Sequence, residues 1–264
     1  MGNVGSVNSG EVPSDTEARL AREESFHDDR FGEDHEGRAA DKFYAITGAS
    51  VACYDDKLAS IPADAKCLEL GCGPETGAWA LLARGVNVTA IDISHVAIER
   101  ADEQARRLGY AHATFAKMNA EAMDFADDSF DVIYGDGILH HLDTDAACAE
   151  LTRCLVPGGR LIFSEPTGHN PFINTYRRFT PDQRTPDEHP LVQRDFDIYR
   201  AHFPDLTLEF FHLASLLALP ALKWKRFESL VDTLEGADRR AFARFPSLRK
   251  YGWMVVGDGH LPRS

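Results

Sequence analysis

The sequence predicts an α/β fold in which seven strands form a mostly parallel sheet with helices on both faces. From residue 66 onward, short apolar runs alternate with segments of helical periodicity, which is typical of strands joined by helical crossovers. The runs are apolar throughout rather than alternately polar, as expected for strands buried on both faces. With 264 residues, the chain is long enough for one enzyme-sized domain with an appendage.

The predicted elements follow one another in a regular order. The break at Pro157, Gly158 and Gly159 predicts a turn into the fifth strand. Helical patterns occur again between residues 213 and 245. The seven strands are predicted at 67–70, 86–91, 113–118, 130–134, 160–164, 206–211 and 251–256, and the first helices at 76–84, 94–108 and 144–155.

Three further regions surround this pattern. Residues 1–36 are acidic with few large apolar side chains, which predicts a largely disordered tail, with a helix allowed over 16–26. Residues 37–62 predict a helical cap on the main domain, residues 63–264. Within that domain, residues 165–205 are polar and irregular before turning helical, and such long insertions often form ligand-binding lids.

Composition limits the classes of partner. The formal net charge is -14, and residues 1–37 contribute half of it through ten acidic residues against three arginines. This charge opposes binding to nucleic acids or anionic membranes. No apolar run is long enough to span a bilayer, and five cysteines without a CxxC pair favour a reducing, cytoplasmic location. We therefore expect a monomer or homodimer that acts on small molecules.

A glycine-rich segment follows the first predicted strand and opens a helix. Gly71 and Gly73 allow a sharp turn that exposes bare peptide groups, and the helix N-terminus favours a ligand with a carboxylate. The dinucleotide fingerprint G-x-G-x-x-G would need glycine where Thr76 stands. Asp92 ends the second strand, where an acidic side chain can accept ribose hydroxyls. The alternative is that Asp92 caps the next helix, or that Ser94 does so alone.

Six segments in order resemble the successive motifs of class I S-adenosylmethionine-dependent methyltransferases. Their pattern is most similar to the type 11 branch, which includes ubiquinone and menaquinone C-methyltransferases. The resemblance implies a Rossmann-like fold, S-adenosylmethionine as cofactor and methyl transfer to a small-molecule acceptor. The segments are 69–77, 90–94, 119–125, 129–133, 138–142 and 155–160.

The resemblance also assigns cofactor contacts. Asp92 would bind the ribose, with Ile93 against the adenine. Asn119 stands where the family usually has Asp, so we expect weaker adenine recognition at that position. For Tyr44 the resemblance suggests an aromatic lid, and a core helix position is the alternative. The remaining predicted contacts are Glu69, Gly71, Cys72 and Gly73 at the methionine part, Ala120 and Glu121 at the adenine edge, and Asp136 beneath the sulfonium.

The acceptor site is predicted from two groups of residues. His140 and His141 follow the fourth strand, where one of them could act as a base or both could orient the loop. The insertion supplies polar side chains, and its arginines suggest either recognition of an anionic acceptor or internal ion pairs. An apolar stretch nearby would suit a partly apolar acceptor. The predicted acceptor-binding residues are His169, Asn170, Tyr176, Arg177, Arg184 and His189.

Other functions stay open at this level. The spacing of His169, Glu188 and His189 matches no regular ligand pattern, so no metal is predicted. The alternatives are an enzyme that uses the cofactor for a different displacement or cyclisation, an NAD-dependent oxidoreductase, and a non-catalytic cofactor-binding protein.

Overall fold

The computed structural model describes residues 14–32, 41–110 and 112–263. Within these residues, seven strands form a single sheet. The strands are β1 (Lys66–Leu70), β2 (Asn87–Asp92), β3 (Thr114–Lys117), β4 (Phe130–Asp136), β5 (Leu155–Pro166), β6 (Thr207–Phe211) and β7 (Met254–His260). Their order is β3-β2-β1-β4-β5-β7-β6. β7 runs antiparallel to β5 and β6, whereas the other pairings are parallel, which confirms the predicted fold class.

Helices and short 3-10 turns connect the strands. Many of the loops that follow parallel strands lie at the carboxyl edge of the sheet, where α/β proteins usually bind ligands. The helices are α1 (Asp15–Gly32), α2 (Asp41–Tyr44), α3 (Gly48–Ala59), α4 (Ala78–Ala83), α5 (His95–Leu108), α6 (Thr144–Cys154), α7 (Pro171–Phe179), α8 (Gln193–His202) and α9 (Phe227–Arg244), with 3-10 helices at Leu139–His141, Pro181–Gln183, Ser215–Ala221 and Pro246–Tyr251.

The sheet is covered on both faces because neighbouring strand residues point to opposite sides. Cys67 of β1 packs with Tyr54 of α3 and Leu81 of α4 in one core. Leu68, the next residue, packs in a second core with Cys148 of α6 and Tyr199 of α8. A third buried cluster joins α2, α7 and α9 to the start of β7, and it contains Phe43, Ile46, Ile173, Phe227, Val231 and Trp253.

The predicted tail is ordered over much of its length. The helix allowed over 16–26 is present, but α1 extends over Asp15–Gly32, so this part of the tail is not disordered. Its side chains form ion pairs with distant residues, such as Arg22 with Asp187. Residues 1–13 and 33–36 lie outside the described residues, and α2 and α3 occupy the predicted helical cap.

The insertion after β5 is more regular than predicted. Residues 171–179 form α7 because Asn170 caps its first turn and Pro171 occupies a position that needs no donor. The residues expected to form a turn at 157–159 lie inside β5, where the pairing with β4 shifts between Phe130 and Val132. Tyr251 belongs to a 3-10 helix, so β7 starts three residues later than predicted.

Candidate functional site

The glycine turn after β1 has the shape that the sequence predicts. Gly71 and Gly73 have φ angles of 60° and 58°, a region that favours glycine. Glu69 is buried behind the turn, where it accepts hydrogen bonds from the Gly77 N–H at 2.9 Å and from the Thr76 hydroxyl. Burial raises the pKa of Glu69 to about 7. Glu69 therefore shapes the turn from behind.

Cys72 also supports the turn. Its side chain is buried, and its backbone N–H donates to the Ile91 carbonyl at 3.1 Å, which joins the turn to β2. Neither the Glu69 side chain nor the Cys72 side chain lines the cleft described next, and their contact with the cofactor stays a prediction. Both positions hold the backbone that faces it.

Asp92 ends β2 beside this turn. One carboxylate oxygen accepts the Gly73 N–H at 2.9 Å, and the other accepts the Ser94 N–H at 2.8 Å. The cap of α5 is Ser94, whose hydroxyl accepts the Ala97 N–H at 3.1 Å. A carboxylate offers about four acceptor positions. Asp92 therefore keeps acceptor capacity for ligand hydroxyl groups.

We call the depression over the ends of β1, β2 and β4 cleft 1. It holds about 830 Å³ of empty space, part of which is open to solvent. One wall is α1, which contributes Arg19, Glu23 and His27. The predicted cofactor residues that line cleft 1 are Gly71, Asp92, Ile93, Asn119, Ala120 and Asp136.

Two predicted cofactor residues in the loop after β3, Asn119 and Glu121, form contacts within the protein. Asn119 accepts the Glu121 N–H on its side-chain oxygen at 3.0 Å. Glu121 accepts the Asp143 N–H at 2.7 Å, and its other oxygen pairs with Arg19. Glu121 contacts α1 and does not line cleft 1, and its contact with the adenine edge stays a prediction.

A second depression, cleft 2, lies beside the first. Asp136 and His141 line both, so the two clefts meet at the end of β4. Tyr44 lines cleft 2 rather than cleft 1, and its ring lies 6.1 Å from the ring of Trp253. Its role as a lid over the cofactor stays a prediction. Cleft 2 is also lined by Phe43, His140, Tyr176, Arg177, Gln183, Arg184 and Glu188.

The His140 side chain forms a buried pair with Glu165. His140 Nδ1 lies 2.7 Å from one Glu165 oxygen, and the other oxygen accepts the N–H groups of Ile138 and Leu139. Burial lowers the pKa of His140 and raises that of Glu165. His140 is therefore neutral at pH 7, and its Nε2 lies 4.0 Å from Glu188, which lines cleft 2.

Glu165 is a functional candidate that was not predicted from the sequence. Its position gave a signal: it lies near the end of β5, and His140 follows β4, the parallel neighbour of β5. Parallel strands that are neighbours bring the residues at their carboxyl ends together.

Asp136 lies deep in the site although its side chain is exposed to the cleft. Desolvation there raises its pKa to about 6, and the negative charge of Glu165 contributes in the same direction. The carboxyl group is thus close to half-protonated at mildly acidic pH. Its ionisation will respond to any charged ligand placed at the junction of the clefts.

Two arginines of cleft 2 lack a carboxylate partner among the described residues. Arg177 donates to the Thr167 carbonyl and to the Asn174 side-chain oxygen, both at 3.0 Å, and burial lowers its pKa to about 10. Arg184 donates to the Thr180 hydroxyl at 3.3 Å, and its buried Nε has no hydrogen-bond partner in the described part of the chain. Both guanidinium groups can accept an anionic ligand.

The structure does not bring three predicted acceptor residues into cleft 2. His169 lines a separate cleft with Arg200 and Arg249. Asn170 is buried and caps α7, because the turn before Pro171 leaves two N–H groups that its side chain satisfies. His189 donates its backbone N–H to the His140 carbonyl at 2.8 Å, so it supports the site through its main chain.

Residues 68–163 match a family model described as a methyltransferase domain. The 27-O-demethylrifamycin SV methyltransferase of Amycolatopsis mediterranei (strain S699) is 31% identical over 144 residues, which are 52% of this chain and 53% of that protein. The ubiquinone/menaquinone biosynthesis C-methyltransferase UbiE of Hahella chejuensis (strain KCTC 2396) is 34% identical over 118 residues, 43% of this chain and 47% of that protein. This chain spans about half the length of these curated relatives.

A solved structure extends the similarity of the fold. Phosphoethanolamine N-methyltransferase 2 from Haemonchus contortus, in complex with S-adenosyl-L-methionine, superposes with a TM-score of 0.60. The identity is 16%, and the superposition covers 90% of this chain and 56% of that one. At this identity, the likeness concerns the fold. Separately, none of the described helices has the length and apolarity needed to cross a membrane.

Proposed function

We propose that this chain, whose residues 68–163 belong to the methyltransferase domain family, transfers a methyl group from S-adenosylmethionine to a small-molecule acceptor. The family match agrees with the six motifs found in the sequence. The observation that carries the proposal is the placement of Asp92 in cleft 1, next to the glycine turn, while Asp136 of the same cleft is shared with cleft 2. One cleft suits the cofactor and the adjoining cleft suits the acceptor.

The residues of cleft 1 fit the cofactor in charge and shape. Asp92 has free acceptor capacity for the two ribose hydroxyls, and Ile93 and Ala120 offer apolar surface to the adenine. Gly71 exposes bare backbone, and a Cβ there would come within 2.7 Å of Ile138. When bound, the cofactor supplies an electrophilic methyl group on a cationic sulfur.

His140 is the proposed base of the reaction. Its Nδ1–H donates to Glu165, so the neutral ring presents Nε2 as a proton acceptor on the side of cleft 2. An acceptor that must lose a proton, such as a hydroxyl or an amine, can transfer it to this nitrogen. Glu165 is a positioning residue, because it selects the tautomer and orients the ring. The second histidine, His141, contacts α1 instead.

The acceptor is proposed to combine an anionic group with a flat or apolar body. Arg177 and Arg184 supply guanidinium groups that have no carboxylate partner among the described residues, in a chain whose net charge is negative. Phe43, Tyr176 and Trp253 supply ring surface in the same cleft. Bidentate hydrogen bonds from arginine suit a carboxylate or a phosphate.

Alignment of the reactants and exclusion of water supply most of the proposed catalysis. Holding reactants in line can contribute about 7–11 kcal/mol to lowering the barrier. α1 forms one wall of cleft 1, and α7 contributes Ile173, Tyr176 and Arg177 to the lining of cleft 2. We also propose that the protein acts in the cytoplasm, because its five cysteines are free thiols in the structure.

The first test is calorimetric titration with S-adenosylmethionine, S-adenosylhomocysteine and NADH. We expect micromolar binding of the first two, and Asp92→Ala should weaken it by about 100-fold because hydrogen bonds to a charged group contribute roughly 1.5–3 kcal/mol each. Asp102→Ala removes an exposed carboxylate on α5 and serves as the control. Binding of NADH alone would overturn the proposal.

The second test is an acceptor screen with product analysis. Methyl transfer releases S-adenosylhomocysteine, whereas displacement on the aminobutyryl side releases methylthioadenosine. The screen should begin with hydroxylated or aminated aromatic carboxylates and phosphates. If Arg184→Gln and Arg177→Gln leave turnover unchanged, the proposal that the acceptor carries an anionic group is wrong. The proposal of methyl transfer itself would not be affected.

A further inference from the structure

Three side chains from two distant parts of the sequence meet beneath α1. Glu23 and His27 lie one turn apart on the same face of the helix, and His141 comes from the 3-10 helix after β4. Glu23 Oε2 lies 3.1 Å from His141 Nδ1 and 3.6 Å from His27 Nε2. Glu23 and His141 are 3% and 8% exposed, so the group is screened from solvent.

These separations match the edges of a metal coordination sphere. Zinc binds histidine nitrogen and carboxylate oxygen at about 2.0–2.2 Å, which places two ligand atoms of a tetrahedron about 3.3 Å apart. The measured 3.1 and 3.6 Å bracket this value. The three ligand atoms all lie within 4.8 Å of one another. One ion between them can therefore contact all three with small side-chain movements.

Two atoms of the group are left unsatisfied. Glu23 Oε2 and His141 Nδ1 are buried and lie 3.1 Å apart, but this contact lacks hydrogen-bond geometry, and neither atom has another hydrogen-bond partner within the described residues. Buried polar atoms without partners are rare in native proteins and usually indicate a missing water or ion. The other oxygen, Glu23 Oε1, accepts the hydroxyl of Thr185. That hydrogen bond orients the carboxylate, as outer partners do in metal sites.

We propose that Glu23, His27 and His141 bind a divalent transition-metal ion, for which Zn²⁺ is the best match. Two histidines and one carboxylate form a ligand set used in catalytic zinc sites, which keep one position open. All three residues line cleft 1, so the open position faces the cleft. The ion also joins α1 to the loop after β4. The site thus goes beyond the proposed methyl transfer and does not depend on it.

Two nearby groups are weaker candidates. His140, His141 and Glu188 also lie within 4.8 Å of one another, but His140 Nδ1 already pairs with Glu165. Glu24, Asp28 and His95 lie near the surface, and the Asp28 and His95 side chains satisfy each other at 2.7 Å. The separation of 114 residues between His27 and His141 explains why no sequence motif predicted the site.

The test is metal binding to tag-free, full-length protein. Titration with Zn²⁺, and with Co²⁺ as a visible probe, should show one equivalent bound, together with a higher Tm. The cobalt spectrum should show the bands of nitrogen and oxygen ligands without a thiolate charge-transfer band. Glu23→Gln and His27→Gln should lower the affinity by more than 100-fold, and Thr185→Val by about 10–100-fold.

The matched control is His95→Gln, which removes a histidine that contacts α1 through Asp28 but lies outside the group. It should bind Zn²⁺ like the original protein. Circular dichroism verifies that each variant is folded. The proposal is overturned if the protein binds less than half an equivalent of Zn²⁺ at 100-fold excess, if Glu23→Gln and His27→Gln bind as well as His95→Gln, or if the cobalt spectrum shows thiolate ligands.

Discussion

At the scale of single residues, Asp136 lies where the two clefts meet and its pKa is raised to about 6 by desolvation. A bound sulfonium would favour the ionised carboxylate and lower this pKa. S-adenosylmethionine should therefore release up to about half a proton when it binds at pH 6, and release less at pH 8. S-adenosylhomocysteine, which has a neutral sulfur, should release fewer protons. Calorimetry in two buffers with different ionisation enthalpies measures the difference.

The control for this prediction is Asp136→Asn, in which the two ligands should release equal numbers of protons. Equal release by both ligands in the unaltered protein would show that Asp136 does not face the sulfur. The two ligands share their amino and carboxylate groups, so proton release caused by those groups is the same for both. The difference between the ligands therefore reports the charge on the sulfur.

The pair of His140 and Glu165 predicts how methyl transfer depends on pH. His140 can act as a base only when its proton is on Nδ1, which requires an ionised Glu165. Burial raises the pKa of Glu165 to about 7. Below that pH, the protonated Glu165 carboxyl group donates a hydrogen bond to His140 Nδ1. The proton of the neutral ring then lies on Nε2, which can no longer accept one. The rate with an identified acceptor should therefore rise between pH 6 and 8 and be lost as pH falls through about 7.

Variants at the pair separate chemistry from structure. Glu165→Gln should flatten the rise between pH 6 and 8, and His140→Asn should lower kcat by about 10²–10⁴-fold while leaving cofactor affinity largely unchanged. A change in the acceptor KM alone, with the pH profile unaltered, would show that the pair only supports the loop.

At the scale of elements, α1 forms one wall of cleft 1 and is attached through polar contacts. Arg19 pairs with Glu121 and donates to the His141 carbonyl at 3.2 Å, and Arg22 pairs with Asp187 through two contacts of 2.9 Å. Such contacts weaken with salt. We infer that α1 opens for cofactor exchange more readily than the apolar core unfolds.

Arg19→Gln tests this attachment. The Glu121 side chain is 5% exposed, so it would keep the hydrogen bond from the Asp143 N–H but lose its cationic partner, at a cost of about 2–3 kcal/mol. Hydrogen exchange in residues 15–32 should become about 30-fold faster or more, and exchange in β4 should not change. Arg106→Gln on α5 breaks an exposed ion pair and is the control. Unchanged exchange in α1 would mean that its other contacts are sufficient.

The elements differ in how well the sequence predicts them. The central strands of the sheet could be predicted because each is a run of apolar residues that the fold buries, as in β1 and β4. The position of α1 could not, because Arg19 and Arg22 find partners 102 and 165 residues away. The helix α7 was missed although Asn170 and Pro171 provide a cap signal, since the polar composition of the segment indicated a loop.

The candidate site follows the same distinction. Asp92 and the glycines could be predicted because the turn is local and its conformation requires glycine. The pairing of His140 with Glu165 requires the order of β4 and β5, and the displacement of Glu121 from cleft 1 requires the position of α1. Local sequence patterns could not predict these contacts between elements.

At the scale of the whole molecule, the sheet is completed by β7, which runs between β5 and β6 in the opposite direction. Gly257 on β7 lies against the ring of Phe163 on β5, and a Cβ at this position would come within 2.1 Å of the ring. Phe163 is fully buried in the core that also contains α6 and α8. The ring cannot move without disturbing that core.

Gly257→Ala should therefore lower the free energy of unfolding by at least about 1–3 kcal/mol, the usual cost of overpacking a core. Gly48→Ala is the matched control: Gly48 starts α3, and a Cβ there meets nothing within 4 Å. That substitution should leave stability unchanged or raise it by about 0.4–1 kcal/mol. Urea unfolding followed by circular dichroism measures both. Equal urea midpoints for the two variants would mean that β7 shifts along β5 to accommodate the methyl group. In that case, the contact between Phe163 and Gly257 does not set the register of β5 and β7.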